Sequence, residues 1–320
     1  MTRLTFRAES WPIRGNFTTS REVKPFANTV FVEIDKNSVT GRGECFPLKR
    51  FNQTQQSVID DIKVVEAEIL NADPQSLQSI LPAGPARNAV DCALLDWQAK
   101  SQGKAMWEVL GLDEPKPLTT AYTLSLDTPE KMAENAENNA QFKILKMKMN
   151  GSADDIARIK AVKNAHSTAQ LILDANEAWN VDHMKTIMPI LLENDVVLIE
   201  QPLPEGQDDA LRDFETPIPF AADESCHTIE SLTGLKGKYQ VVNLKLDKTG
   251  GLTHALAMKA KALEMGFDVM VGCMASTSLS ILPAMIAAQG VRFVDIDGAY
   301  LLESDPYGVV KYQDGQVVLP

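Results

Sequence analysis

Two lysines and three carboxylates punctuate the middle of the chain at near-even intervals. Lys148, Asp174, Glu200, Asp223 and Lys245 each close a short apolar run, such as Leu171-Ile172-Leu173 before Asp174 and Val196-Val197-Leu198-Ile199 before Glu200. They stand 26, 26, 23 and 22 positions apart, about the length of one strand, one loop and one helix. A strand buried in a parallel sheet reads as an unbroken apolar run. A charge at its C-terminal end therefore emerges at one mouth of the sheet, which in a β/α barrel is the catalytic mouth. Three carboxylates gathered there repel one another unless a cation neutralises them. Oxygen donors suit a hard divalent ion such as Mg²⁺, and no His or Cys stands at a comparable strand end within the trio, which weighs against zinc. Lys148 and Lys245 flank the trio in strand order. In a closed barrel they come from opposite sides, so two amines can face each other across one substrate. Lys146 projects to the same face as Lys148, because strand side chains repeat every two residues. Neighbouring positive charge is expected to lower the pKa of Lys148, toward what a general base needs.

The elements that must position these groups follow from periodicity. Residues 1–115 read as a smaller α+β domain. Strands are expected at 4–11 and 29–35, with a polar loop over 14–28 between them. Helices are expected at 54–72 and 86–102, where apolar residues recur at helical spacing. Leu110-Gly111-Leu112, Pro115 and Pro117 mark a boundary. From residue 116 to 299 the pattern is strand, helix, strand. Strands are expected at 118–122, 144–148, 171–174, 196–200, 219–223, 241–245, 268–272 and 293–297, with the clearest helices at 129–140, 153–165, 183–192 and 252–265. Eight strands with intervening helices imply a barrel, since right-handed crossovers place the helices outside. Residues 300–320 are too few for a further full helix and are expected to return to the first domain.

The segments Lys146-Met147-Lys148, Asp174-Ala175-Asn176, Glu200-Gln201-Pro202, Ala222-Asp223-Glu224-Ser225 and Asn243-Leu244-Lys245 together resemble the enolase superfamily, muconate-lactonizing subgroup. The likeness covers nearly the whole chain. It implies an α/β fold, a (β/α)7β modified TIM barrel with an α+β capping domain. It also implies Mg²⁺ on Asp174, Glu200 and Asp223, with Asn176 and Glu224 in support. The superfamily's general chemistry is loss of a proton α to a carboxylate to give a metal-stabilised enediolate. Subgroup members include cycloisomerases, o-succinylbenzoate synthases, N-acylamino acid racemases and dipeptide epimerases.

The last strand separates these. Val294-Asp295-Ile296-Asp297-Gly298 is similar to the dipeptide epimerases, in which two acids hold the free ammonium of the N-terminal residue. Two carboxylates on one strand face form a cation site, and neither a muconate nor a succinylbenzoate offers a cation. The resemblance thus implies an isomerase, a Mg²⁺-dependent epimerase of L-Ala-D/L-Glu dipeptides working by proton transfer between Lys148 and Lys245 with Lys146 on the substrate. Muconate cycloisomerase and o-succinylbenzoate synthase are the alternatives. Arg21, four residues after Phe17, resembles the arginine that pairs the glutamate side chain in such epimerases, with Lys24 as a competitor. Thr123 and the run Cys273, Met274, Ala275 match segments that line the substrate. Ser276 departs from the better-known pattern, which has an acid there. His227 is the histidine nearest these segments in sequence. A role in recycling peptidoglycan peptides is implied by the resemblance alone.

Composition bounds the remaining possibilities. The 320 residues carry a net charge of -12, which argues against a nucleic-acid partner. The four cysteines, Cys45, Cys92, Cys226 and Cys273, form no C-x-x-C pair, so no zinc or disulfide framework is expected. No signal-peptide pattern opens the chain, and no apolar run is long enough to span a bilayer. The expectation is a cytoplasmic enzyme with a small-molecule partner, no membrane partner, and assembly into a homo-oligomer left open.

Overall fold

The computed structural model describes residues 2–320. Arg3–Thr18 (β1), Val23–Lys36 (β2) and Val39–Cys45 (β3) form an antiparallel sheet in that order. The stretch 14–28, expected as a loop, is instead the far end of the β1–β2 hairpin. After an irregularity between Pro12 and Phe17 the ladder resumes, with Phe17 opposite Lys24 and Thr18 opposite Val23. Its polarity misled because both faces of this extension leave the core of the sheet. The expected 54–72 helix is Gln55–Val64, broken at Val65 (φ -114°, ψ 16°) before a single turn, Glu66–Ile69. Two adjacent β-branched residues, Val64 and Val65, weaken the helix there. The helix Pro85–Ser101 lies on β3. The contact is so close that a Cβ at Gly43 would sit 2.1 Å from the Ala89 carbonyl oxygen.

Eight parallel strands form the second unit: Ala121–Leu124 (β5), Ile144–Lys148 (β6), Gln170–Asp174 (β7), Val196–Glu200 (β8), Phe220–Ala222 (β9), Val241–Lys245 (β10), Asp268–Gly272 (β11) and Phe293–Asp295 (β12). Each hydrogen-bonds to its neighbours in sequence order. The first strand is displaced from the expected 118–122. Leu118–Thr119 (β4) instead pairs with Gln316–Val318 (β14), itself the partner of Lys311–Gln313 (β13). The chain changes sheets at Thr120, whose N–H donates to the Gly315 carbonyl. Helices Pro129–Asn138, Asp154–Ala165, Val181–Glu193, Leu252–Glu264 and Ser278–Ala287 fill most crossovers. The crossover between β8 and β9 carries only a 3₁₀ turn, Asp209–Asp213, and that between β9 and β10 a 3₁₀ turn and a four-residue helix, Leu232–Leu235. This accounts for the spacing falling from 26 to 23 and 22.

Alternation sorts each strand between two cores. Leu145, Met147, Leu171, Leu173, Ile199, Val242 and Val271 face the helices. Ala121, Ile172, Leu198, Ala221, Val241, Met270 and Phe293 pack into an apolar plug inside the barrel. Two residues further along the same face come Thr123, Asp174, Glu200, Asp223, Asn243, Gly272 and Asp295. The apolar plug thus forms the floor beneath the polar mouth. β12 and β5 close the ring without a strand ladder. Asp297 Oδ2 accepts the Thr123 N–H at 2.7 Å, and Thr120 Oγ1 accepts the Ile296 N–H at 3.0 Å. Beyond the barrel, Ile13 bridges to Leu302, Glu303 N–H donates to the Pro12 carbonyl, and Tyr307 stacks on Phe31. Residues 301–307 thus touch the antiparallel sheet, whereas β13 pairs only with β14, and β14 with β4.

Candidate active site

Strand register brings the charged residues level. Lys148 is opposite Asp174, and Asp174 is opposite Glu200. Across the barrel, Lys245 is opposite Gly272 and Gly272 opposite Asp295. Gly272 is required by its neighbours, since a Cβ there would lie 2.7 Å from Asn243 Oδ1 and 3.0 Å from Lys245 Cε. The capping hairpin and the segment Lys49–Phe51 roof this mouth. Together they enclose a cavity of about 160 Å³ lined by Phe17, Arg21, Lys24, Lys148, Lys245 and Asp295 among others.

Every charge in the mouth is paired or crowded. Lys148 Nζ donates to Asp174 Oδ2 at 2.5 Å, and Lys245 Nζ donates to Asp223 Oδ2 at 2.7 Å. Lys146 Nζ lies among three acids, 2.7 Å from Asp295 Oδ2, 2.7 Å from Glu200 Oε2 and 3.1 Å from Asp174 Oδ2. Its approach to Glu200 is off the line a hydrogen bond needs, so that oxygen has no hydrogen bond. Asn243 Nδ2 donates to Glu200 Oε1 at 2.9 Å. Lys248, absent from the expected set, donates to Asp223 Oδ1 and to its backbone carbonyl, both at 2.6 Å. The signal for it was present: Lys248 follows Lys245 by three, and the short helix Leu246–Thr249 starts directly after β10. A helical turn returns the third residue to the same side.

Acids dominate the electrostatics of Lys146 and Lys245. Burial by itself would depress Lys146, but Asp295, Glu200 and Asp174 hold it well above the ordinary lysine value. Lys245 is likewise raised, because Asp223 outweighs burial and the charge of Lys146. In this arrangement carboxylates, not neighbouring ammonium groups, set the direction. The acids divide. Burial pushes Glu200 up to about 8, aided by the charge of Asp174. Asp174 and Asp223 are held low against burial, the first by Lys148 and Lys146 and the second by Lys245, Lys248 and Lys146.

The donor set fits a hard cation. Asp174, Glu200 and Asp223 are 0%, 0% and 5% exposed, and all offer oxygen. Asn176 Oδ1, Glu224 Oε2, Asn243 Oδ1 and Asp295 Oδ1 are buried acceptors without a hydrogen-bond partner, while Glu200 Oε2 meets only the Lys146 ammonium. Each such atom costs about 1–3 kcal/mol, and a group of acceptors is met most economically by positive charge. Among the described residues no three His, Cys, Asp or Glu side chains already converge as a metal cage, since lysine ammonium groups stand between the acids.

The remaining expected residues fall around this centre. Asp295 and Asp297 share a face, yet both are also engaged within the protein. Asp295 pairs Lys146, and Asp297 ties the barrel seam. Burial and the charge of Asp295 push Asp297 up to about 7. Thr123, Cys273, Met274 and Ala275 line the cavity. Burial raises the Cys273 thiol well above its usual range, the wrong direction for a nucleophile. Ser276 is buried and donates to the Met274 carbonyl. His227 sits away from the lysines, its ring 2.7 Å from Glu205. Arg21 donates through one nitrogen to the Asn176 carbonyl, Glu177 and Glu224, and Asn176 also donates to Glu224. Arg50 shares Glu177. Lys24 stands opposite Phe17 in the hairpin, and such pairs project from one face. The Phe17 ring is 5.5 Å from Lys148 Nζ, so this face looks onto the lysines.

Residues 1–111 match the family described as mandelate racemase / muconate lactonizing enzyme, N-terminal domain, and residues 131–320 match that described as enolase C-terminal domain-like. The chain belongs to the enolase superfamily. Within that superfamily it is 39% identical to the L-Ala-D/L-Glu epimerase of Escherichia coli (strain K12), over 97% of this chain and 98% of that protein. It is 41% identical to an N-acetyl-D-glutamate racemase of a Pseudoalteromonas species, over 90% of this chain and 92% of that one. Among solved structures, an enolase family member from Agrobacterium tumefaciens with homology to dipeptide epimerases, with bound sodium and L-Ala-L-Glu, superposes with a TM-score of 0.96 at 43% identity, covering 100% and 98% of the two chains. A dipeptide epimerase from Methylococcus capsulatus complexed with Mg and L-Arg-D-Lys gives a TM-score of 0.88 at 26% identity, covering 99% and 96%. The superfamily barrel and its antiparallel capping sheet are therefore the fold of this chain. Among the described residues no helix is long and apolar enough to cross a membrane.

Proposed function

We propose that this enolase-superfamily chain is a Mg²⁺-dependent dipeptide epimerase that interconverts the L and D configurations of the C-terminal residue of L-Ala-Glu. The placement of Lys148 and Lys245 on opposite sides of the carboxylate trio carries this reading. Mg²⁺ held by Asp174, Glu200 and Asp223 would supply the positive charge that makes a proton α to a carboxylate removable. Lys148 or Lys245 takes that proton from Cα on one face, and the other lysine returns one to the opposite face. The accepting lysine must start as a neutral amine, and the donating lysine must start as an ammonium. Asp174 and Asp223, which hold these two ammonium groups, would hold them less firmly when shared with a cation, which would ease loss of a proton from the accepting lysine. Lys146 places its charge beside the oxygens on which negative charge develops. Asp295, with one orphaned buried oxygen, and Asp297 face the N-terminal ammonium. Lys24 is the cation for the glutamate side chain, while Arg21 latches the hairpin to the barrel loops through Glu177 and Glu224.

A second reading, racemisation of an N-acylated glutamate, is favoured by one observation. Asp295 and Asp297 are already engaged by Lys146 and Thr123, so the strand-end pair serves the fold even without an ammonium. The 41% identity to an N-acetyl-D-glutamate racemase points the same way. Incubation with Mg²⁺ and either L-Ala-L-Glu or N-acetyl-L-glutamate, followed by chiral chromatography, separates the two. Faster formation of L-Ala-D-Glu supports the epimerase, and conversion of the N-acetyl compound alone overturns it.

A further inference from the structure

A chain of buried hydrogen bonds outside the cavity ends on Asp223. It starts at Gln201, the residue after Glu200, whose backbone is left-handed at φ 38°. A non-glycine residue in that region is strained, and here the strain accompanies a side chain with every polar atom engaged. Gln201 Oε1 accepts the backbone N–H of Asp223 at 2.9 Å and of Ser225 at 3.1 Å. Its Nε2 donates to the Leu203 carbonyl, Ser225 Oγ and Tyr239 Oη, each at 2.9 Å. Both hydroxyls donate in turn to one oxygen of Asp208, Ser225 at 2.9 Å and Tyr239 at 2.8 Å. Lys238 Nζ donates to the other oxygen at 2.6 Å. Gln201, Asp208 and Tyr239 are 0%, 1% and 3% exposed.

The chain has a direction. An ionised carboxylate can only accept, so Asp208 draws both hydroxyl hydrogens toward itself and turns their lone pairs toward Gln201. The amide must then present its NH₂ to the hydroxyls and its oxygen to the Asp223 and Ser225 N–H groups. The flipped amide, almost identical in shape, would set donor against donor at the Asp223 and Ser225 N–H groups and acceptor against acceptor at the two hydroxyls and the Leu203 carbonyl. Lys238 and the two hydroxyls keep the Asp208 carboxyl below its ordinary range despite burial. The Gln201 N–H also donates to the Ala221 carbonyl at 2.9 Å, so this residue links the end of β8 to the loop bearing Asp223.

We infer that Asp208 is a positioning residue for the metal site: through Tyr239, Ser225 and Gln201 it fixes the backbone at Asp223 and thereby sets the affinity for Mg²⁺. The inference rests on the Mg²⁺ reading above. A merely structural Asp208, anchoring the 3₁₀ turn Asp209–Asp213, would affect folding stability alone. Asp208→Asn is the informative change, because it keeps the shape and lets a neutral amide reverse the chain. Metal-stripped wild type, Asp208→Asn and Tyr239→Phe are titrated with Mg²⁺ by calorimetry, and their melting temperatures are measured alongside. Asp208→Asn is expected to weaken Mg²⁺ binding by about 10- to 100-fold, the usual consequence of losing an outer support of a metal ligand. Tyr239→Phe, which leaves the Ser225 link, should weaken it by at least about threefold but less than Asp208→Asn. Affinity for Mg²⁺ within twofold of wild type in Asp208→Asn overturns the inference, whatever its melting temperature. If that variant does not fold, an unchanged affinity in Tyr239→Phe overturns it. A wild type that binds no Mg²⁺ removes the metal reading itself, and this inference with it.

Discussion

At the residue scale, the proposed chemistry rests on two amines, Lys148 and Lys245. Lys148→Ala and Lys245→Ala should each lower epimerisation of L-Ala-L-Glu by about 10³-fold or more, since each removes one proton carrier; a variant that still turned over both epimers at the wild-type rate would rule out two bases. Asp297→Asn keeps an oxygen for the Thr123 N–H but loses the charge facing an ammonium. It should raise KM for L-Ala-L-Glu about tenfold or more, and an unchanged KM would leave Asp297 as a seam residue only. The five repeat-spaced charges were legible in the sequence because each stands where an apolar strand ends. Lys248 and Gln201 were not singled out. Lys248 depends on a helical turn after β10, and Gln201 on a left-handed backbone after β8. The three-residue spacing from Lys245 hints at Lys248, whereas a left-handed backbone at a glutamine has no signature in residue type.

At the scale of elements, the capping hairpin gives its two cations different roles. Arg21, at its tip, is engaged by Glu177 and Glu224 on barrel loops, whereas Lys24 has one acid partner, Glu22, and looks inward beside Phe17. Lys24→Met should therefore cut the preference for L-Ala-L-Glu over L-Ala-L-Met, as a ratio of kcat/KM, by about tenfold or more. Arg21→Met should slow both substrates alike through loss of the latch. The reverse pattern would make Arg21 the partner of the substrate carboxylate. The strands and helices of the barrel were readable because period and length agree. The hairpin reads as a loop because Phe17, Val23 and Phe26 are scattered among polar residues without strict alternation, and two of the three, Val23 and Phe26, are exposed. β4 was fused to β5 because the switch at Thr120 rests on a backbone bond to Gly315, nearly two hundred residues away in sequence.

At the scale of the whole molecule, buried acids join the capping unit to the barrel, and they make stability depend on pH. Glu44, on β3, accepts both the N–H and the hydroxyl of Thr277 in the loop after β11, and burial pushes it up to about 8 against the opposing Thr277 bonds. Unfolded, this carboxyl loses its proton near 4.5. Between those values the folded state binds more protons than the unfolded one, so stability falls as pH rises. The contribution is fully present below about 4.5 and gone above about 8. Glu44→Gln lacks this titration and should gain up to a few kcal/mol on wild type between pH 5 and 8, read from urea midpoints; parallel curves would show that Glu44 does not titrate in this range. No such interface was visible in the sequence, since Glu44 and Thr277 meet only when the two units dock. The barrel mouth as a whole is tested most directly by solvent exchange. With Mg²⁺ and L-Ala-L-Glu in D₂O, deuterium is expected at Cα of the glutamate residue, in both epimers, as followed by mass spectrometry and proton NMR. Absence of deuterium from that carbon, at enzyme and Mg²⁺ concentrations that saturate binding, would contradict proton transfer between Lys148 and Lys245.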